Sequence, residues 1–283
     1  MQAEPEDSTP PARAPACDCH IHIYDLARHP IAQADPVSPP DAPWAAYRRL
    51  QATLGLERCV IVQPMGYGFD NRCTLEAVEA ADGAAVAIAA LRPGAPRAEL
   101  HDLDARGVRG VRFMLVPNSG AIMTWDMLPG IANEIASLGW TINLQLDGRE
   151  LPRHEALLMN LPCALVIDHV GKFLEPVDPD HASAQSLYRL LDTGRAWVKL
   201  SAMYETSRSG PPWYDDVGLL AKRLAHAYTE RCLWASNWPH PGQRRRPDDR
   251  NLLALLDRWA PSSQARDRIL RDNPQALYRF ARR

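Results

Sequence analysis

The sequence predicts an α/β chain folded as a single-domain (β/α)8 TIM barrel, and three observations carry that expectation. Eight short apolar runs recur, at 16–19, 59–63, 86–91, 111–115, 140–146, 163–168, 197–200 and 232–235. Their starts lie roughly 23 to 43 residues apart, the spacing of strand-plus-helix units joined by crossovers. Amphipathic patterns of helical period fill the gaps, and a chain of 283 residues has the length of one such barrel. A doubly wound open sheet is the rival architecture. It is disfavoured because no glycine-rich phosphate loop follows any of the runs.

The intervening helices announce themselves by their ends. AAYRRLQATLG closes with Gly55, NRCTLEAVEAADG with Gly83 and PRAELHDLDARG with Gly107. Glycine just past the last turn is the expected stop, because it enters the left-handed region without steric cost. Further helical stretches are expected at 124–138, 182–193, 214–228 and 263–280. The barrel then occupies residues 16–283. Residues 1–15 are acidic and proline-rich with no apolar core, and read as a flexible arm rather than a signal peptide or anchor.

The composition narrows the function. A hydrophobic content of 46% supports a large core, and a formal net charge of -2 gives no electrostatic reason to bind nucleic acid or an anionic membrane. No apolar run is long enough to span a bilayer. The basic run Arg244-Arg245-Arg246 is followed by Asp248 and Asp249 and reads as a solvated loop. Cysteines 17, 19, 59, 73, 163 and 232 are scattered through apolar runs, which suits reduced core thiols in a cytoplasmic protein.

Barrel chemistry belongs at the carboxyl ends of the strands. Strict alternation along ACDCHIHIYD puts Asp18, His20 and His22 on one face, and Cys17, Cys19 and Ile21 on the other. That parity argues against a mixed Cys/His zinc site. The second run ends in Gln63, with Tyr67 in the loop beyond. The fourth offers Arg112, the fifth Asn143 and Gln145, and the sixth ends in His169. The seventh offers Lys199 and Ser201, then Tyr204, Glu205 and Arg208. The eighth ends in Asn237, with His240 just after it. Each has a structural alternative: an ion pair for Arg112 or Lys199, loop packing for Tyr204, a hydrogen-bonded strand-end role for a lone histidine. Asp168, of opposite parity to His169, reads as a structural partner. Convergence from six strands on one end still points to a site, because charge inside a barrel is costly without partners or a ligand.

His20-x-His22, DHVGK at 168–172 and SNWPHP at 236–241 resemble the amidohydrolase superfamily. More narrowly they resemble its lactone-processing branch, that of the galactarolactone isomerases and 2-pyrone-4,6-dicarboxylate lactonases, over about 16–280. The resemblance implies a (β/α)8 fold with its site at the strand carboxyl ends. Many superfamily members bind divalent metal through the first-strand histidines, a lysine or glutamate on strand 4, histidines on strands 5 and 6 and an aspartate on strand 8. This chain departs from that set with Arg112, Gln145 and Asn237. His20, His22 and His169 remain as a zinc alternative. The branch implies no cofactor.

Asn237 shapes the expected reaction. A carboxamide cannot accept a proton as a carboxylate does. General-base help is worth about 10²–10⁴ in rate, so hydrolysis should suffer. An internal acyl shift brings its own nucleophile, and intramolecular placement contributes about 7–11 kcal/mol in good cases. The expected function is therefore cofactor-free isomerisation of a sugar-dicarboxylate lactone, from a 1,5- to a 1,4-lactone. In that reading His20, His22 and His240 polarise the carbonyl, His169 shuttles the proton and Asn237 orients the attacking hydroxyl. Arg112 and Arg208 clamp carboxylates, while Gln63, Tyr67, Gln145, Lys199 and Tyr204 bind hydroxyls. A lactone hydrolase with His169 as base is the alternative, and a non-catalytic carboxylate-binding protein is the alternative of another class.

Overall fold

The computed structural model describes residues 14–31, 39–117 and 119–280; the expected arm at 1–15 lies outside them except for its last two residues. Eight strands form one parallel sheet in sequential order: β1 (Cys17–Ile21), β2 (Arg58–Val62), β3 (Ala85–Ala89), β4 (Val108–Met114), β5 (Thr141–Gln145), β6 (Ala164–Ile167), β7 (Ala196–Leu200) and β8 (Cys232–Trp234). The sheet closes where the chain leaves β8. Trp238 pairs with Ile21, His22 N donates to Trp238 O at 2.8 Å, and Asn237 N donates to His20 O at 2.9 Å. The seam of the (β/α)8 barrel therefore runs through the residues that carry the sequence motifs.

The helices are α1 (Trp44–Leu54), α2 (Arg72–Ala80), α3 (Arg97–Ala105), α4 (Met127–Ala136), α5 (Leu151–Met159), α6 (Ala182–Asp192), α7 (Asp215–Ala227), α8 (Asp249–Trp259), α9 (Ser263–Asp267) and α10 (Asn273–Tyr278). Helix α1 stops as expected: Gly55 is left-handed and its N–H turns back to the carbonyls of Ala52 and Gln51. Helices α5 and α8 are absent from the sequence expectation. For α8 the signal was present, since Asp248 caps the N–H groups of Arg250 and Asn251 and Leu252, Leu255, Leu256 and Trp259 form one buried stripe. The expected closing helix at 263–280 runs from 263 to 278 without a gap, and its middle, Arg268–Asp272, is π-helical between α9 and α10. Pro274 has no N–H to return to the preceding turn, which suits the widened turn there.

Two apolar clusters divide the interior. One joins the helices to the outward side chains of the strands. The other contains strand residues, among them Val60, Val86, Val166 and Leu233, with Ala235 just past β8 and Tyr278 and Phe280 from the C-terminal segment. This second cluster is the inside of the barrel. Each large apolar side chain fully buried there stabilises the fold by about 1.5–3 kcal/mol.

The inner cluster corrects the parity assigned to β1. Cys17 and Cys19 point inward, and Asp18 faces outward to Tyr47 of α1. The register between β1 and β2 shifts between Asp18 and Ile21. A bulge of this kind adds one residue and reverses the alternation. The cysteines thus lie on the same side as the histidines, deeper in the barrel. Asp18 accepts from Ser236 Oγ at 2.6 Å, Ser236 N at 3.0 Å and His20 N at 3.3 Å, so it pins the seam.

Candidate active site

At the carboxyl ends of the strands, His22, Arg112, Gln145, His169, Lys172, Glu205 and Asn237 line a cavity of about 280 Å³. They come from the ends of β1, β4, β5, β6, β7 and β8. Larger cavities exist, one of about 470 Å³ near Ala85 and Gly107 at the opposite ends of β3 and β4. Size does not select the site; strand direction and the gathering of ionisable groups do.

The wall at β1 is a relay of neutral imidazoles. His22 Nδ1 donates to the Val62 carbonyl at 2.8 Å, which leaves its Nε2 as an acceptor. His20 Nε2, 3.2 Å away, must then carry its proton, and His20 Nδ1 accepts from Lys199 Nζ at 3.1 Å. Burial first, then the Arg112 charge, holds the His22 pKa down to about 3. Burial and Lys199 hold His20 well below the ordinary imidazole value. His169 is depressed in the same way, by burial and then by His20. Its Nδ1 lies 2.9 Å from Ser201 Oγ, so Nε2 is the nitrogen left for a ligand.

Lys199 lies beneath the cavity rather than on its wall. Its ammonium donates to His20 Nδ1 and to Asn143 Oδ1 at 2.9 Å, and stands at ion-pair distance, 2.9 Å, from Asp168 Oδ1 without hydrogen-bond alignment. Lys199 and Asp168 are fully buried, so the ion-pair alternative describes Lys199. The opposite parity expected for Asp168 and His169 does not hold: the left-handed backbone at His169 ends the alternation, and the Asp168 carboxylate lies with His20 and His169.

The wall at β6 and β7 is built differently. After Asp168 the backbone enters the left-handed region for four consecutive residues, with φ of 56° at His169, 55° at Val170, 84° at Gly171 and 43° at Lys172. Such a run is costly for residues with a Cβ, by about 1–2 kcal/mol each. A Cβ at Gly171 would stand 2.6 Å from the Phe173 ring, so glycine is required there. The turn closes with Lys172 N donating to His169 O at 2.8 Å, and both side chains reach the cavity. Lys172 Nζ is paired with Glu205 Oε2. Asn237 Nδ2 donates to Glu205 Oε1 and to the Tyr204 hydroxyl, both at 3.0 Å. Behind Tyr204, His240 Nδ1 lies 2.8 Å from the hydroxyl, and His240 Nε2 is at ion-pair distance, 3.1 Å, from Asp249 without hydrogen-bond alignment.

The structure brings together His20, His22, Arg112, Gln145, His169 and Asn237, with Tyr204 and His240 one layer behind Asn237. Arg112 Nη1 donates to the Gln63 carbonyl at 2.7 Å and Nη2 to Gln145 Oε1 at 3.3 Å. It does not gather the rest. The Gln63 side chain is used on its own loop, bonded to Gly68 O, Asp70 O and Thr74 Oγ1. The Tyr67 hydroxyl accepts from Asp25 N and lines a neighbouring cavity with Phe69 and Arg92. Arg208 is exposed and pairs with Glu175 at 3.6 Å. Lys172 was missed by the sequence reading, and Glu205 was noticed but given no role. The signal for Lys172 was DHVGK itself, a conformationally demanding turn that ends in a cation.

Ligand atoms of His20, Asp168 and His169 approach within 4.8 Å of one another. A divalent cation in this set would meet the Lys199 ammonium. Asp168 is the counter-charge of Lys199, and Lys199 also reaches His20. On the cavity wall itself Arg112 and Lys172 face a single carboxylate, Glu205. Excess positive charge favours an anion.

Fold and geometry define a barrel whose candidate site, at the strand carboxyl ends, gathers imidazoles, cations and a carboxamide. The chain belongs to the amidohydrolase family, whose pattern matches residues 17–280. It is 36% identical over 271 residues to a 4-sulfomuconolactone hydrolase of Rhizobium radiobacter, covering 93% of this chain and 89% of that protein. It is 33% identical to a D-galactarolactone isomerase of Agrobacterium fabrum, covering 94% and 91%. It is 32% identical to a 2-pyrone-4,6-dicarboxylate hydrolase of Comamonas testosteroni, covering 94% and 90%. Among solved structures, an apo crystal structure from Agrobacterium tumefaciens superposes with a TM-score of 0.88 at 32% identity, covering 96% of this chain and 98% of that one. A zinc-bound amidohydrolase of Burkholderia multivorans shares the fold, with a TM-score of 0.74 at 21% identity, covering 95% and 100%. Among the described residues no helix is long and apolar enough to cross a membrane.

Proposed function

We propose that this enzyme isomerises the lactone of a sugar dicarboxylic acid without a cofactor, moving the acyl group from one ring hydroxyl to another. Asn237 carries the reading. It stands in the cavity wall, its Nδ2 is given to Tyr204 and Glu205, and it offers water no basic atom. In this reading the attacking oxygen is the ligand's own hydroxyl. The excess positive charge suits a carboxylated lactone, and the relatives quoted above are named for lactone chemistry.

In this reading the carbonyl oxygen meets His20. His20 carries its proton on Nε2, because Lys199 occupies its other nitrogen; that N–H rests on His22 Nε2, which orients it, and turns to the developing oxyanion. Arg112, braced by Gln63 and Gln145, receives a substrate carboxylate. His169 transfers the proton to the departing ring oxygen, and Tyr204, backed by His240, fixes the Asn237 carboxamide.

The test is NMR and mass analysis of galactarolactone incubated in heavy-oxygen water. A new lactone without label in the carboxyl group is expected. Label in an open acid would replace isomerisation by hydrolysis, a second reading that Glu205, a carboxylate in the cavity wall, specifically favours. Binding without conversion would make the protein a carboxylate sensor. Prolonged chelation should leave turnover unchanged; activity lost to chelation and restored by zinc would end the cofactor-free reading.

A further inference from the structure

We propose that Glu205 is the general base of this site and that the substrate's own carboxylate arms it by taking Lys172 away. The inference rests on the lactone reading above and goes beyond it by naming a base and the class of ligand that releases it.

Both oxygens of Glu205 are engaged, Oε2 by Lys172 and Oε1 by Asn237. A carboxylate held in this way is a poor proton acceptor. The three charged cations of the site are not equivalent. Lys199 is held below the cavity by His20, Asn143 and the Asp168 charge, and Arg112 is braced against Gln63 and Gln145. Lys172 is paired to a carboxylate that itself lines the cavity, with side chains 10% and 15% exposed respectively. An incoming carboxylate that reaches Lys172 therefore competes with Glu205 for the same ammonium. The left-handed turn at 169–172 holds Lys172 at the cavity beside His169, so the exchange takes place next to the reacting groups. Once displaced, Glu205 keeps its contact with Asn237, the residue placed to orient the attacking hydroxyl.

The step balances within the site. The substrate hydroxyl oxygen bonds to the lactone carbonyl carbon while its proton passes to Glu205, and the carbonyl electron pair moves onto oxygen. The proton on Glu205 passes to the neutral Nε2 of His169, and collapse of the intermediate breaks the ring C–O bond as His169 hands that proton to the departing oxygen. Nothing is gained or lost overall. A neutral lactone can enter the same cavity but leaves Glu205 bound to Lys172, so the device selects for carboxylated substrates in turnover rather than in binding alone.

The experiment compares wild type, Glu205→Gln and Lys172→Met, measuring turnover of galactarolactone and of its methyl ester together with calorimetric binding of open-chain galactarate. Glu205→Gln should lower kcat by about 10²–10⁴ while galactarate binds more tightly, because its competitor for Lys172 is gone. Lys172→Met should weaken galactarate binding and narrow the preference for the acid lactone over the ester. A Glu205→Gln protein within threefold of wild-type kcat overturns the base assignment. Unchanged or weaker galactarate binding in Glu205→Gln overturns the exchange, since a purely structural pair would only loosen the site. If a substitution prevents folding, the ratio of acid-lactone to ester kcat in wild type decides: a ratio near one overturns the arming step. Wild-type protein that converts no lactone defeats the functional reading and the base role with it, and galactarate binding then judges the exchange separately.

Discussion

The two walls of the cavity are made by opposite means. At the β8–β1 seam the backbone is stitched in register, with Asn237 N to His20 O and His22 N to Trp238 O, and the imidazoles are buried, neutral and hydrogen-bonded in sequence. At β6–β7 the backbone is left-handed for four residues, and the side chains it presents form an ion pair at the cavity surface. The seam offers uncharged dipoles that orient one another. The other wall holds charges whose partners can be exchanged. Preorganised dipoles suit carbonyl polarisation, and an exchangeable pair suits proton transfer timed to binding.

The comparison breaks most severely if its shared foundation is removed. Lys199→Met leaves Asp168 an unpaired buried carboxylate and frees the His20 tautomer. Breaking a buried pair in this way costs about 3–5 kcal/mol, read as a lower urea midpoint; a loss below about 1 kcal/mol would mean that the ammonium is not a keystone of the interior. Next in size is Asn237→Asp. It places a carboxylate opposite Glu205, where the amide now donates at 3.0 Å, and supplies a base for water. Label incorporated from heavy-oxygen water should rise relative to isomerisation by about 10²-fold. An unchanged product ratio would remove Asn237 from control of the nucleophile.

A pH series sharpens the contrast with less effect. His22 titrates at about 3 in the fold against a normal value of 6.5, and His20 and His169 shift the same way. Between those values the unfolded chain binds the extra protons, so this stabilisation is complete above 6.5 and drains as pH falls towards 3. Asp18 acts in reverse: burial raises it to about 7 against its hydrogen bonds to Ser236 and His20, and its contribution is lost as pH rises from 3.8 through that value. Three imidazoles outweigh one carboxyl, so the urea midpoint should drop between pH 6.5 and 4; a rise on acidification would place charged histidines in the seam. The smallest effect is expected for Arg208→Ala. Its side chain is 71% exposed and its partner Glu175 lies outside the cavity wall, so kcat/KM should change by no more than about threefold, as exposed pairs contribute little. A loss of a hundredfold would restore Arg208 as a carboxylate clamp.

The fold was legible because its signals are local. Strand runs, glycine stops and strand-end histidines depend on near neighbours in the chain, and they located the barrel, His20, His22, Arg112, His169 and Asn237 at the site. What failed had a non-local or conformational cause. Alternation along β1 failed because the bulge after Asp18 is decided by pairing with β2 and by capture of Asp18 at Ser236 and Tyr47. Gln63 and Tyr67 were placed at the site because a strand end shows polarity but not which partner satisfies it, and theirs lie in their own loops.

The sequence alone determined the eightfold strand-and-helix order and the chemistry available at the strand ends, above all a carboxamide in place of a carboxylate at Asn237. Only the tertiary structure decided which charges meet. It sent Lys199 to Asp168 beneath the floor, and it carried Lys172 through a left-handed turn to Glu205, 33 residues further along the chain. Such pairings depend on distances across the barrel, which the closure of the sheet sets and no stretch of sequence contains.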